Sequence, residues 1–168
     1  MVRDSHIILD TCIANNWLSK EFGLSSKTND VANALLANGN ILYVSHFTKY
    51  ELLRCATKEK KAKSEQLLSM LKQVETNNDR LNRAIRLYSL YKENSEVKNH
   101  LQSISDMDVF IGSLIFTNKN IYLLTADYCD FPRPFFLEEK IWHVEYARSK
   151  GGRSSIYYYL LKANMEEF

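Results

Sequence analysis

Short apolar runs alternate along this chain with longer stretches of helical period. Ile7-Ile8-Leu9, Ile41-Leu42-Tyr43-Val44, Ile121-Tyr122-Leu123-Leu124 and Ile141-Trp142-His143-Val144 read as strands. The first three have no polar alternation, which marks parallel strands covered on both faces. A further strand is assigned to Gln73-Val74-Glu75. Between the runs, Asp79 to Lys92 sets Leu81, Ala84, Ile85, Tyr88 and Tyr91 on one helical stripe, and Ser64 to Lys72 does the same with Leu67, Leu68 and Leu71. Gly151-Gly152 reads as a flexible turn, and Ser154 to Asn164 as a last helix, so that residues 151–168 form a helical extension. Strands alternating with helices predict an α/β fold with a mostly parallel sheet and right-handed crossovers.

Composition narrows this little. The 168 residues are 45% hydrophobic and 25% charged, which suits one globular domain over residues 1–168. A net charge of +2 neither announces nor forbids nucleic-acid binding, because a local patch outweighs the sum. Cys12, Cys55 and Cys129 form no CxxC pair, which argues against a zinc site or a disulfide framework and fits a reducing compartment. No apolar stretch approaches the roughly 18 residues of a membrane span, and the N-terminus enters a strand without a leader's apolar core. The expectation is a soluble cytoplasmic protein.

Ligand and catalytic sites of open parallel sheets form at the carboxyl ends of the strands. The first strand here ends in Asp10-Thr11. The second ends in Ser45, and the helix after it carries Glu51. The third ends in Thr125-Ala126-Asp127, with Asp130 beyond, and Asp106 and Asp108 open the apolar helix that leads into it. Several carboxylates at one sheet edge repel and force some of their number to stay protonated, unless a cation joins them. Mg²⁺ and Mn²⁺ take oxygen ligands, and such a site can polarise a phosphodiester and activate water.

Each acid also has a plainer role. Ser105-Asp106-Met107-Asp108 is a capping-box pattern. Glu51 alone is an ordinary solvated helix residue, and Asp127 and Asp130 alone are turn residues. Asp10 is harder to dismiss, because it ends a buried apolar strand where an unpaired charge is costly.

The order of these segments resembles the PIN domain and, within it, the VapC-type toxins of toxin–antitoxin pairs. Ile8-Leu9-Asp10-Thr11 looks like the first motif of that family, and Val44-Ser45 through Thr48 to Glu51-Leu52 looks like the second. Asp108-Val109-Phe110-Ile111-Gly112-Ser113 is similar to the third motif, and Leu124-Thr125-Ala126-Asp127 through Asp130-Phe131 to the fourth. The likeness spans residues 6–145. It selects Asp108 over Asp106, which stays the alternative ligand. It implies a five-stranded parallel sheet of order 3-2-1-4-5 flanked by helices. It also implies an Mg²⁺- or Mn²⁺-dependent endoribonuclease, a homodimer, and an antitoxin partner. Asp10, Glu51, Asp108 and Asp127 would hold the metal and act in catalysis. Asp130 would bind a second ion or position water, and Thr11, Ser45 and Thr125 would orient the carboxylates. Cys12 departs from the family pattern and is given a packing role.

Lys150 and Arg153, near Tyr157, Tyr158 and Tyr159, suit contacts to single-stranded RNA. The plainer reading is a solvated loop and a helix packing its tyrosines. Rival functions are a catalytically inactive RNA-binding or scaffold protein on the same fold, a haloacid-dehalogenase-type phosphatase, and a receiver domain. The phosphatase would need an acid where Cys12 stands. The receiver would need an acidic pair and a late lysine that are not found.

Overall fold

The computed structural model of the chain describes residues 2–54 and 56–168; Cys55 lies outside the described residues. The apolar runs become the strands of one mixed sheet. These are β1 (His6–Leu9), β2 (Ile41–Ser45), β3 (Lys72–Val74), β4 (Ile121–Thr125), β5 (Phe136–Ala147) and β6 (Arg153–Ala163). Six α-helices are described: α1 (Thr11–Trp17), α2 (Phe22–Leu36), α3 (His46–Arg54), α4 (Lys58–Met70), α5 (Asn78–Glu93) and α6 (Asp106–Ser113). The strand order is β3-β2-β1-β4-β6-β5. The first four of these strands are parallel, with β1 between β2 and β4.

The expected five-stranded parallel sheet is therefore right for its 3-2-1-4 part and wrong beyond it. The place beside β4 is taken by β6, which runs antiparallel, and β5 lies outside β6 as the edge. Ser154 to Asn164, expected as a helix, lie instead almost wholly in the eleven-residue strand β6 (Arg153–Ala163). Two physical reasons account for this. Ile156-Tyr157-Tyr158-Tyr159 is a run of β-branched and aromatic residues that pack well on a pleated surface. Gly151 and Gly152 sit at φ 88° and 84°, the left-handed conformation that hairpin loops require. The tail is thus a hairpin partner of β5 and an interior part of the sheet.

Two apolar cores cover the sheet, one on each face. Ile7, Leu9, Val44, Leu124, Tyr158 and Leu160 face the first, with Ala14, Val31 and Leu35 from α1 and α2. Ile8, Leu123, Phe136 and Leu161 face the second, with Leu87, Tyr91, Phe110 and Ile111 from α5 and α6. The face of α5 that packs is Ala84, Leu87 and Tyr91. Leu81, Ile85 and Tyr88 of the expected stripe are exposed at 40%, 64% and 39%. The expected helix through Lys72 stops at Met70, because Leu71 turns to extended backbone and leads into β3. No described helix is long and apolar enough to cross a membrane.

Candidate functional site

The carboxyl ends of β1 and β4 are hydrogen-bonded neighbours, so the residues that follow them meet. Asp10 caps the start of α1 and is 4% exposed. Its Oδ1 accepts from the Thr11 N–H at 2.6 Å. Its Oδ2 accepts from the Thr125 hydroxyl at 2.7 Å and from the Cys12 thiol at 3.0 Å. Burial pushes the Asp10 carboxyl up, the Cys12 and Thr125 bonds draw it back, and the Asp108 charge adds to the rise; the net direction is upward. Burial and the Asp10 charge also push the Cys12 thiol up, which keeps it a donor. Cys12 in turn accepts from the Ala126 N–H at 3.1 Å. The packing role expected for Cys12 is incomplete, because its sulfur ties the end of β1 to the residue after β4.

Thr125 makes a second link. Its hydroxyl accepts from the Asp127 N–H at 2.9 Å, which fixes the turn that carries Asp127 and then Asp130. Asp130, half-buried, is pushed up to about 7 by burial and then by the charges of Asp108, Asp127 and Asp10. Asp108 lies at the third position of α6 in a complete capping box. Its Oδ2 accepts from the Ser105 hydroxyl at 2.5 Å, and its N–H donates to the Ser105 Oγ at 3.2 Å. The capping role and membership of the acidic group thus coexist. Asp106, two residues earlier and exposed, is not among the causes of the Asp130 or Asp10 shifts.

Glu51 joins through Thr11, whose hydroxyl donates to Glu51 Oε2 at 2.5 Å. Thr11 therefore holds Glu51 with its side chain and Asp10 with its backbone. Ser45 does not touch a carboxylate. Its hydroxyl meets the Thr48 hydroxyl at 3.0 Å and accepts the Thr48 N–H at 2.9 Å, starting α3. Lys150 and Arg153 lie at the tip of the β5–β6 hairpin, away from the acids.

Sequence reasoning missed Tyr91. This α5 residue is fully buried, its hydroxyl has no partner, and its phenol is pushed up first by burial and then by the charges of Asp108 and Asp130. It lies beneath the acidic group. Its place on an apolar stripe signalled core, and nothing in the chain marked the hydroxyl.

The acids are uncompensated. Among the described residues no lysine, arginine or histidine forms an ion pair with Asp10, Glu51, Asp108, Asp127 or Asp130. Equally, no three described Asp, Glu, His or Cys side chains stand together as a ready-made metal-binding group. Asp10, Glu51 and Asp108 are each held by protein donors instead. The donor set, all carboxylate oxygen and mutually repulsive, suits a hard divalent cation in its chemistry.

No protein-family model matches the chain, and no curated protein matches it.

Proposed function

We propose that the chain is a metal-dependent endoribonuclease of the PIN-domain kind, with the acidic group at the ends of β1 and β4 as its active site. One observation carries this reading. The buried Asp10 carboxyl is held by Thr125, Cys12 and the Thr11 N–H, Thr11 ties Glu51 to it, burial and nearby carboxylates push Asp130 up to about 7, and among the described residues no basic side chain pairs with these acids. Fold stability alone gives no reason to gather such charges, and perturbed carboxyls in one place are a mark of functional sites. Asp10, Asp108 and Asp127 would hold Mg²⁺ or Mn²⁺, with Glu51 and Asp130 completing the set. The ion would supply charge stabilisation at a phosphodiester and a more acidic water. Thr125 and Cys12 hold Asp10 Oδ2 in one orientation, and Thr11 fixes Glu51 beside it.

A toxin role with an antitoxin or a homodimer partner belongs to the same proposal. The exposed stripe of Leu81, Ile85 and Tyr88 on α5 is the apolar face such a partner would use.

The second reading is an RNA-binding protein without catalysis. The capped, separately bonded state of the carboxylates favours it. Two measurements separate the readings. Mn²⁺ should raise the melting temperature of the wild type, as any ligand of the folded state must, and should do so less for Asp10→Asn. Mixed RNAs should be cleaved by the wild type with Mn²⁺ or Mg²⁺, and neither with EDTA nor by the folded Asp10→Asn variant. Undiminished cleavage by that variant would overturn the assignment of the site.

A further inference from the structure

The β5–β6 hairpin does more than complete the sheet. Thr125, the last residue of β4, pairs with Tyr159, so Arg153 to Tyr158 run on past the carboxyl edge, roughly 20 Å at a strand's rise. One face of this arm is closed, because Ile156, Trp142 and Tyr158 pack with the α1 and α2 core. The other face carries a row of rings. His143 stacks on Tyr157 with centroids 4.8 Å apart, Tyr157 lies 6.4 Å from Tyr159, and Tyr159 stacks on Tyr128 at 5.0 Å. Tyr128 sits between Asp127 and Asp130 in sequence, and the Arg133 guanidinium lies over its ring at 5.8 Å. At the far end, Arg153 follows the same strand alternation as Tyr157 and Tyr159 and so lies on their face. Tyr157 is 49% exposed, though a buried position would suit an aromatic side chain better.

We infer that this face is a binding track for single-stranded RNA, running from Arg153 at the hairpin tip over His143, Tyr157 and Tyr159 to Tyr128 beside the acidic group. Unpaired bases stack on exposed aromatic rings of a sheet without regard to sequence, and basic side chains at the two ends meet phosphates. Arg153 at the tip supplies attraction where the acids repel, and Arg133 over Tyr128 is exposed though paired with Glu138 at 3.2 Å. Glu145, opposite Ser155, is an acid on the same face, and Glu138 at the Tyr128 end accepts from Arg133 at 3.2 Å. The choice of RNA rests on the nuclease reading, whereas the track itself rests on the rings and their neighbours.

Binding and cleavage are measured separately so that the two can fail separately. Fluorescence anisotropy of a labelled oligouridylate with EDTA present, where no cleavage occurs, reads the track alone. Tyr157→Ala should weaken binding about tenfold, and Tyr157→Phe should leave it near the wild-type value, because the ring and not the hydroxyl stacks. Arg153→Ala should weaken binding and lower the salt slope by about 0.7. Melting temperatures of all three variants should match the wild type, since these side chains are exposed. Equal affinity of wild type and Tyr157→Ala would overturn the inference and leave the nuclease reading standing. A loss of binding in Tyr157→Ala with no metal-dependent cleavage by the wild type would support the track and defeat the nuclease. Duplex RNA bound as tightly as the single strand would overturn the track, because paired bases offer no faces. So would a wild-type dimer that Tyr157→Ala splits, because a second copy would then cover the rings.

Discussion

At the scale of single residues, the site is a set of acids whose neighbours decide their charge. Burial and the charges of Asp108, Asp127 and Asp10 push the Asp130 carboxyl up to about 7, against an ordinary value of 3.8. A carboxyl raised on folding binds its proton more tightly in the native state, so the native state gains at low pH. That contribution is present in full below about 4 and is lost as pH rises through about 7. With EDTA present, stability should therefore decline across this window, and Asp130→Asn should flatten the decline. Denaturant midpoints taken at several pH values check this, and an unchanged slope in the variant would remove Asp130 as the cause. Tyr91 makes a second case. Its hydroxyl is buried without a partner, so Tyr91→Phe removes a desolvated polar group and leaves the ring in place. Stability should hold or rise by about 1 kcal/mol. A fall of more than about 1 kcal/mol in urea unfolding would mean that the hydroxyl is bonded in solution.

At the scale of elements, α2 and the hairpin depend on each other. Gly23 at the start of α2 lies so close to β5 that an added Cβ would meet the Ala147 carbonyl oxygen at 2.6 Å. The hairpin tip also docks there, with the Ser149 N–H and hydroxyl both donating to Glu21 Oε2 at 2.6 Å. Gly23→Ala should cost about 1–3 kcal/mol by forcing the two apart, measured by chemical unfolding. The same region shows where sequence reasoning succeeds and where it stops. Ile7 to Leu9 and Ile121 to Leu124 are legible as buried strands because both faces demand apolar residues. The positions of Asp10 and Asp127 are legible because each follows the carboxyl end of such a strand. Ser154 to Asn164 is not legible as a strand, because tyrosines and leucines at close spacing satisfy a helical stripe as well as an alternating one. What decides is the pair of left-handed glycines before it and the unpaired edge of β4 waiting beside it. The packed face of α5 is not legible for a related reason. Leu81, Ile85 and Tyr88 lie on a helical stripe, but only packing against α6 selects the side that holds Leu87 and Tyr91.

At the scale of the whole molecule, the sheet is parallel where it builds the acidic group and antiparallel where it extends past it. Net charge is nearly balanced, so any attraction for an anionic polymer is local to the hairpin and not a property of the surface at large. Moderate salt should then weaken oligouridylate binding with a shallow dependence set by a few contacts, readable from affinities at several salt concentrations. The position of β6 has one more consequence. It lies between β4 and β5, although it follows both in the chain, and β5 pairs with nothing else in the sheet. During synthesis, β4 therefore keeps a bare edge, and β5, though it packs on α2, has no strand partner until residues through 163 have cleared the ribosome. Asp10, Thr125 and Asp127 can come together before then, but the arm beside them cannot. A nascent chain stalled inside the hairpin would carry its acids without the surface that flanks them, and with an open strand edge prone to pairing with its neighbours.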